Sequence, residues 1–383
     1  MNDGLLLVDK PQGVTSFDAV AAVRGALRTK KVGHAGTLDP MATGMLVIGF
    51  GRATRLLQYI VEHDKTYEAT IRLGASTTTD DADGAFVATA DGAAAGWLSG
   101  GADGLRRDVE RVIAETFLGD IEQVPNTFSA IKVNGQRAYD LAREGKDVAL
   151  KARAVHIAGF DVLDVRPGYA SAASPAAPLE PAGTSDATGP ADATGPGTSD
   201  DAADATDRIP VVDVDVRVSC SSGTYIRALG RDLGAALGVG GYLTRLRRTR
   251  VGRFALPDDR SGLAVAADAI VDAHAEPKTF TNREGETITR NRCVLDTPDG
   301  LSGEERGDWL RARAIGMADA ARGAMTVIDI TADQARELRF GRRIDGTLAK
   351  GVHYAAIAGD DVAAIVERAN RTQAKPVVVF PKD

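Results

Sequence analysis

Two hydrophobic periods run through the first 255 residues of the chain. Residues 5–9 form a short apolar run and predict a strand; Phe17, Val20, Val23 and Leu27 then recur at helical spacing, which predicts a helix from about Ser16, with Ser16 as its N-cap. A glycine-rich loop at 31–44 leads into a second strand at 45–50. Tyr67, Ala69, Ile71 and Leu73 alternate with Glu68, Thr70 and Arg72, the pattern of a half-buried strand. Asn134-Gly135 predicts a hairpin turn, and helices are predicted at 103–117 and 225–237. Strands are predicted at 155–165 and where Val212, Val214, Val216 and Val218 alternate with Asp213, Asp215 and Arg217. Strands and helices do not alternate regularly enough for a doubly wound sheet. The expected fold is α+β, with a mixed, largely antiparallel sheet and flanking helices.

With 383 residues the chain has room for two or three domains. Residues 1–255 read as one domain, interrupted at 167–207. Residues 256–324 read as a connector, with helix-like pieces at 263–273 and 309–321 around a polar stretch left irregular. Residues 325–383 read as a small β-rich module: Thr331 caps a helix through Leu338, Gly341 follows it, and strands lie at 354–357, 362–367 and 377–380.

Charge at first argues against a polyanionic partner, because the chain carries a formal charge of −7. The acids are unevenly placed. Residues 167–207 hold seven acidic side chains, no Lys or Arg and no aromatic beyond Tyr169, and they repeat Ala-Thr-Gly-Pro at 187 and 193. Such a segment buries too little apolar surface to offset its ordering entropy, so it is expected to be a disordered insertion. Without it the chain is neutral and shows three basic clusters: 24–55 at +5, 126–153 at +3, and 245–253 at +5. Those clusters predict a polyanion-binding surface. Cys220 and Cys293 are too few for a disulfide framework, the first residues lack a basic leader, and no apolar run is long enough to span a bilayer. A cytoplasmic protein with no membrane association is expected.

The loop Gly33-His-Ala-Gly-Thr-Leu-Asp-Pro-Met-Ala-Thr-Gly44 offers His34 and Asp39 on a shaped backbone. No phosphate-binding loop, metal-ligand spacing or Ser/His/Asp order accompanies it, so neither cofactor nor metal is expected. A reaction led by one carboxylate remains.

Leu7-Val-Asp-Lys-Pro-Gln-Gly13, Gly33-His-Ala-Gly-Thr-Leu-Asp-Pro40 with Ala42-Thr-Gly-Met45, Asp64-Lys-Thr-Tyr67, Asp81-Ala-Asp-Gly84, Phe128-Ser-Ala-Ile-Lys132 and Gly223-Thr-Tyr-Ile-Arg227 occur in the order found in one family and cover most of residues 4–255. In these motifs the chain resembles the bacterial TruB-type tRNA pseudouridine synthases. The resemblance implies a cofactor-free isomerisation of uridine 55 in the T loop of tRNA: the C1′–N1 bond breaks and C1′ joins C5 of the same base. Asp39 would be the catalytic carboxylate, with attack at C1′, attack at C6 and a glycal-like route all open.

Arg227 would hold Asp39 ionised, Tyr67 would stack on the base and act in proton removal, and Leu246 would close the other side of the pocket. His34 would enter the RNA where the base flips out. Lys10 would also bind substrate, and Lys132 and Arg137, in the basic 126–153 segment, would contact phosphates. The C-terminal module resembles a PUA-like RNA-binding domain through Arg339-Phe-Gly-Arg342 and Lys375-Pro-Val-Val-Val-Phe380. The expected partner is tRNA, met by a monomer without guide RNA or an obligate protein partner. A guide-RNA-dependent synthase is the rival with the same chemistry; a tRNA-binding or tRNA-folding module is the rival from another class. The 167–207 and 274–308 stretches depart from the family pattern.

Overall fold

The computed structural model describes residues 3–128, 132–133, 136–137, 150–171, 173–181, 208–259, 269–281 and 285–382. The architecture is α+β, with mixed sheet, flanking helices and a β-rich C-terminal module. The chain divides into two compact units, one made of Met1–Lys65 with Arg247–Asp383 and the other of Thr66–Leu246.

The first unit begins with β1 (Gly4–Lys10), α1 (Ser16–Leu27), β2 (Val32–His34), β3 (Thr43–Phe50) and α2 (Leu57–Val61). β1 pairs antiparallel with β3 from Gly4 opposite Phe50 to Lys10 opposite Gly44, and β2 adds to β3. The helix cap is Thr15 and not Ser16: the Asp18 amide donates to the Thr15 hydroxyl while the Thr15 amide donates to the Asp18 carboxylate, closing a capping box. Val20, Val23 and Leu27 are buried as expected. Phe17 is not; it is 63% exposed and lies under the Arg24 guanidinium, 5.7 Å from ring centre.

The second unit contains β4 (Lys65–Leu73), β5 (Ala75–Thr77), β6 (Phe86–Thr89), α3 (Gly92–Leu98), α4 (Ala102–Thr116), β7 (Gly119–Gln123), β8 (Lys132–Val133), β9 (Gln136–Arg137), β10 (Arg153–Ser171), β11 (Glu180–Pro181), β12 (Arg208–Cys220) and α5 (Ile226–Ala236). It ends within β13 (Gly241–Val251). Its strands run in the order β11-β10-β12-β4-β13, with β7 also on β10. β4 was expected to show one face to water, yet Thr70 and Arg72 are buried as well. Thr70 donates to Asp215 at 2.6 Å, and Arg72 forms a two-pronged pair with Asp213 at 2.7 and 2.9 Å.

The expected insertion at 167–207 is corrected at its start. β10 continues to Ser171, which pairs with Arg208, and β11 lies opposite Gly168 and Tyr169. The Arg208 guanidinium stacks 4.7 Å from the Tyr169 ring. Cross-strand pairing orders these polar residues despite their weak apolar content; residues 182–207 lie outside the described residues. So does the Asn134-Gly135 turn, although β8 and β9 on either side of it pair antiparallel, Val133 opposite Gln136.

The chain returns to the first unit through β14 (Phe254–Ala255), β15 (Ile270–Thr281), β16 (Thr287–Leu295), α6 (Gly303–Arg313), α7 (Met317–Ala324), β17 (Val327–Asp329), α8 (Ala332–Arg339), β18 (Ile344–Asp345), β19 (Tyr354–Ala358), β20 (Asp361–Arg368) and β21 (Gln373–Val379). Two expectations fail here. Ile270–Ala273, read as helix, opens a strand that pairs parallel with β1, and the polar stretch read as irregular is a long β15–β16 hairpin. A short apolar run does not distinguish helix from strand, and a ribbon exposed on much of both faces shows no alternation. The Thr331 cap and the three C-terminal strands are found; the sheet order there is β17-β19-β20-β21-β18.

The compact units do not follow the boundaries at 255 and 324. Leu5, Val47 and Ile60 share one hydrophobic cluster with Ala355, Ile365 and Phe380, so the C-terminal strands and the N-terminal sheet bury a common core. Arg52 reinforces it, pairing with Asp3 at 2.6 Å and donating to the Pro381 carbonyl at 2.7 Å. No helix among the described residues is long and apolar enough to cross a membrane.

Candidate active site

Asp39 sits half-buried on the loop between β2 and β3, and main-chain and side-chain bonds fix that loop on both flanks. The Ser16 hydroxyl accepts from the Leu38 amide at 2.8 Å and donates to the Leu38 carbonyl at 3.0 Å, fixing the residue before Asp39. The Gly13 amide donates to the Pro40 carbonyl at 2.8 Å, fixing the residue after it. The Asp39 carbonyl accepts from the Ala42 amide at 3.1 Å. Pro40 and Gly44, which has φ +100°, complete the turn. A side chain at Gly44 would meet the Arg248 carbonyl, since a Cβ there lies 2.3 Å from it.

Two buried cations hold the same loop. Lys10, fully shielded from solvent, donates to the carbonyls of Val14 at 2.7 Å, Pro11 at 2.8 Å and Pro40 at 3.5 Å. Arg248, only 1% exposed, donates to Met45 at 2.8 Å, Gly36 at 3.1 Å and Thr37 at 3.5 Å. Both therefore act through peptide dipoles along the loop. Burial lowers the Lys10 ammonium to about 8, against the opposing pull of Cys293 and Asp39; burial also raises the Cys293 thiol to about 11. His34, half-buried at the end of β2, is held below its ordinary value by burial first and by the Arg248 charge second, with a Gly36 backbone contact opposing. The imidazole is neutral at pH 7.

In the second unit Arg227 lies in the first turn of α5 and is 4% exposed. Its guanidinium pairs with the Asp81 carboxylate at 3.0 Å and donates to the carbonyls of Thr79 at 2.9 Å and Phe128 at 2.8 Å. Gln123 holds the helix start, accepting from the Tyr225 amide at 2.8 Å and donating to its carbonyl at 3.0 Å. Asp81 is buried and accepts from the Asp83 amide at 3.1 Å. Its neighbour Asp80 is in the left-handed region at φ +58°, and burial raises its carboxyl even though Asn126 and Arg231 face it. Tyr67 on β4 and Leu246 on the adjacent β13 are both buried. Lys132 and Arg137 are register partners across β8 and β9.

The structure thus gathers Lys10, His34 and Asp39 around one loop, and gives Arg227 a partner the sequence reading did not name. That partner was legible as the Asp81-Ala-Asp-Gly84 motif but not as a pair, since 146 residues separate Asp81 from Arg227. The loop-holding role of Arg248 was also missed, because its acceptors are peptide carbonyls.

Part of the charge in the basic clusters is paired inside the protein. In the 245–253 cluster Arg248 is interior, Arg247 is paired with Asp9 at 2.7 Å and Asp258 at 2.9 Å, and Arg245 lies 3.6 Å from Glu68. In the 24–55 cluster Arg52 and Arg55 bond to the C-terminal strand segment. Charge counted along a sequence does not show which cations are consumed internally.

Comparison with known proteins supplies the family. A family model described as TruB family pseudouridylate synthase (N terminal domain) matches residues 24–174, and one described as tRNA Pseudouridine synthase II, C terminal, matches 325–381. A third, the tRNA pseudouridylate synthase B C-terminal domain, matches 227–284. The tRNA pseudouridine synthase B of Bifidobacterium longum (strain DJO10A) is 60% identical over 401 aligned positions, covering 99% of this chain and 98% of the relative. That of Arthrobacter sp. (strain FB24) is 40% identical, covering 99% and 97%. Among solved structures, a chain of a Cbf5-Nop10-Gar1 complex matches with TM-score 0.57 at 20% identity, covering 100% of this chain and 84% of that one, a likeness of fold. Ordered motifs, matching family models and identity sustained across nearly the full length of both relatives agree: the chain belongs to the TruB family of pseudouridylate synthases.

Proposed function

We propose that the protein isomerises uridine 55 in the T loop of tRNA to pseudouridine, with Asp39 as the catalytic carboxylate. The observation that carries this reading is the Asp39 loop itself: a carboxylate presented on a backbone that Ser16, Lys10 and Arg248 tie down on both sides. Preorganisation of this kind is what a group that must meet one carbon of a bound nucleotide requires. The reaction moves the sugar from N1 to C5 of one base, so atoms balance without redox or group transfer, in keeping with a site built from a carboxylate and cations. The curated relatives, named tRNA pseudouridine synthase B, support tRNA as the substrate.

In this reading the neutral His34 enters the RNA as the uridine flips out; an uncharged imidazole costs less to bury among bases than a cation does. Arg227 keeps Asp39 ionised, Tyr67 stacks on the base and Leu246 closes the pocket, roles that rest on the motif match. Lys10, with its ammonium already directed to three carbonyls, serves binding by shaping the loop. Lys132 and Arg137 take phosphates, and the C-terminal module, PUA-like in its motifs, adds RNA contacts. The protein acts in the cytoplasm as a monomer, without guide RNA, protein partner or cofactor. The test is pseudouridine mapping in an unmodified tRNA transcript incubated with the purified protein alone. Pseudouridine at position 55 is the expected result; none without added guide RNA or protein would overturn this reading.

A further inference from the structure

The β15–β16 hairpin has no part in the reading above. Its register places Glu276 opposite Arg292, Lys278 opposite Arg290 and Phe280 opposite Ile288, all on one face of the ribbon. The first pair neutralises itself, with Arg292 2.8 Å from Glu276. The second does not: two cations stand directly across from one another, an arrangement that destabilises a ladder. Among the described residues no carboxylate lies within ion-pair distance of Lys278 or Arg290, and both are exposed. The Arg290 guanidinium instead stacks over the Phe280 ring, 5.0 Å from its centre.

This face borders an open groove of about 410 Å³ between the hairpin and α1, and Asp18, the acid lining that groove, is engaged in the Thr15 capping box. The hairpin is also tied to the Asp39 loop. Asn291 donates to the Gly13 carbonyl at 3.3 Å, and the Gly13 amide donates to the Pro40 carbonyl at 2.8 Å. A Cβ at Gly13 would lie 2.9 Å from the Asn291 amide, so ribbon and loop are in close contact.

We propose that the Lys278–Arg290–Phe280 face of the β15–β16 hairpin is an additional RNA-binding surface, taking the phosphate backbone and a stacked base of the RNA presented to the Asp39 loop. The inference rests on the RNA-modifying function proposed above. A cross-strand pair of unneutralised cations fits two phosphates, while a half-buried ring beside a guanidinium at the groove is a platform for a nucleobase. An acidic protein partner would satisfy the cations and leave that platform unused.

The test uses the full chain carrying Lys278→Ala with Arg290→Ala, and binding of an unmodified tRNA transcript between 50 and 200 mM salt, roughly the range over which phosphate contacts dominate affinity. The double variant should bind about tenfold or more weakly, with the slope of log affinity against log salt reduced by about two. Phe280→Ala should weaken binding about fivefold or more at an unchanged slope, as loss of stacking does. Wild-type affinity and slope in the double variant would overturn the inference, as would weakened binding to polyglutamate with tRNA binding intact. Pseudouridine formation by the wild-type protein is read separately: its absence overturns the function proposed above, while the slope still decides whether the hairpin holds RNA.

Discussion

The Asp39 loop and the start of α5 solve one problem in two ways. Around Asp39 the buried cations Lys10 and Arg248 bond to peptide carbonyls, so charge meets dipoles. At α5 the buried Arg227 meets the carboxylate of Asp81 as well as two carbonyls, so charge meets charge. The difference decides what a substitution leaves behind. Removing Arg248 strands neutral acceptors, whereas removing Arg227 strands a buried anion, and the second costs more. At Lys10 burial outweighs the opposing pull of Cys293 and Asp39, leaving its ammonium at about 8.

The largest stability effect should therefore come from Arg227→Met, a loss of about 3–5 kcal/mol in urea unfolding, with part of it restored when Asp81→Asn removes the stranded charge. No restoration in the double variant would break the contrast between the two regions. Arg248→Met should cost less, about 2 kcal/mol, since carbonyls are all it leaves unpaired. A loss equal to that of Arg227→Met would show that the dipole-held cation is no cheaper to remove. Ser16→Ala should cost about 1 kcal/mol by freeing both polar groups of Leu38, and in the proposed function it should lower the single-turnover rate through looser placement of Asp39. An unchanged rate would argue that the loop needs no such clamp.

Lys10 adds a pH dependence to the comparison. Native Lys10 titrates near 8 and the unfolded side chain near its ordinary 10.5, so across that interval the unfolded state binds more protons and stability contributed by this group rises with pH. Below about pH 8 the cost of burying the ammonium is fully present. Wild-type stability measured against Lys10→Met should thus climb between pH 8 and 10.5, and a flat difference would contradict the assigned environment.

What the sequence made legible follows from where bonding partners lie. β1, β3, α4 and α5 carry their burial in their own periodicity and are found where the pattern puts them. β15–β16 carries no such mark: Lys278, Thr279, Thr289 and Arg290 are polar on both faces, and its pairing with β1 depends on residues more than 260 positions away. Thr15 and Ser16 are both competent caps; tertiary structure decides between them, because Leu38 claims the Ser16 hydroxyl. Asp39, Tyr67 and Arg227 were singled out through ordered motifs. Of the side chains that hold the site together, Lys10 was singled out only for substrate binding and Arg248 not at all, since both address peptide groups, which every residue has.

The central claim, that Asp39 is the catalytic carboxylate, is tested most directly by Asp39→Asn. The purified variant and the wild type are incubated with unmodified tRNA transcript, pseudouridine is mapped at single-nucleotide resolution, and tRNA affinity is measured in parallel. Wild-type-like binding with no pseudouridine at any position is the predicted result. Normal pseudouridine formation by Asp39→Asn would contradict it.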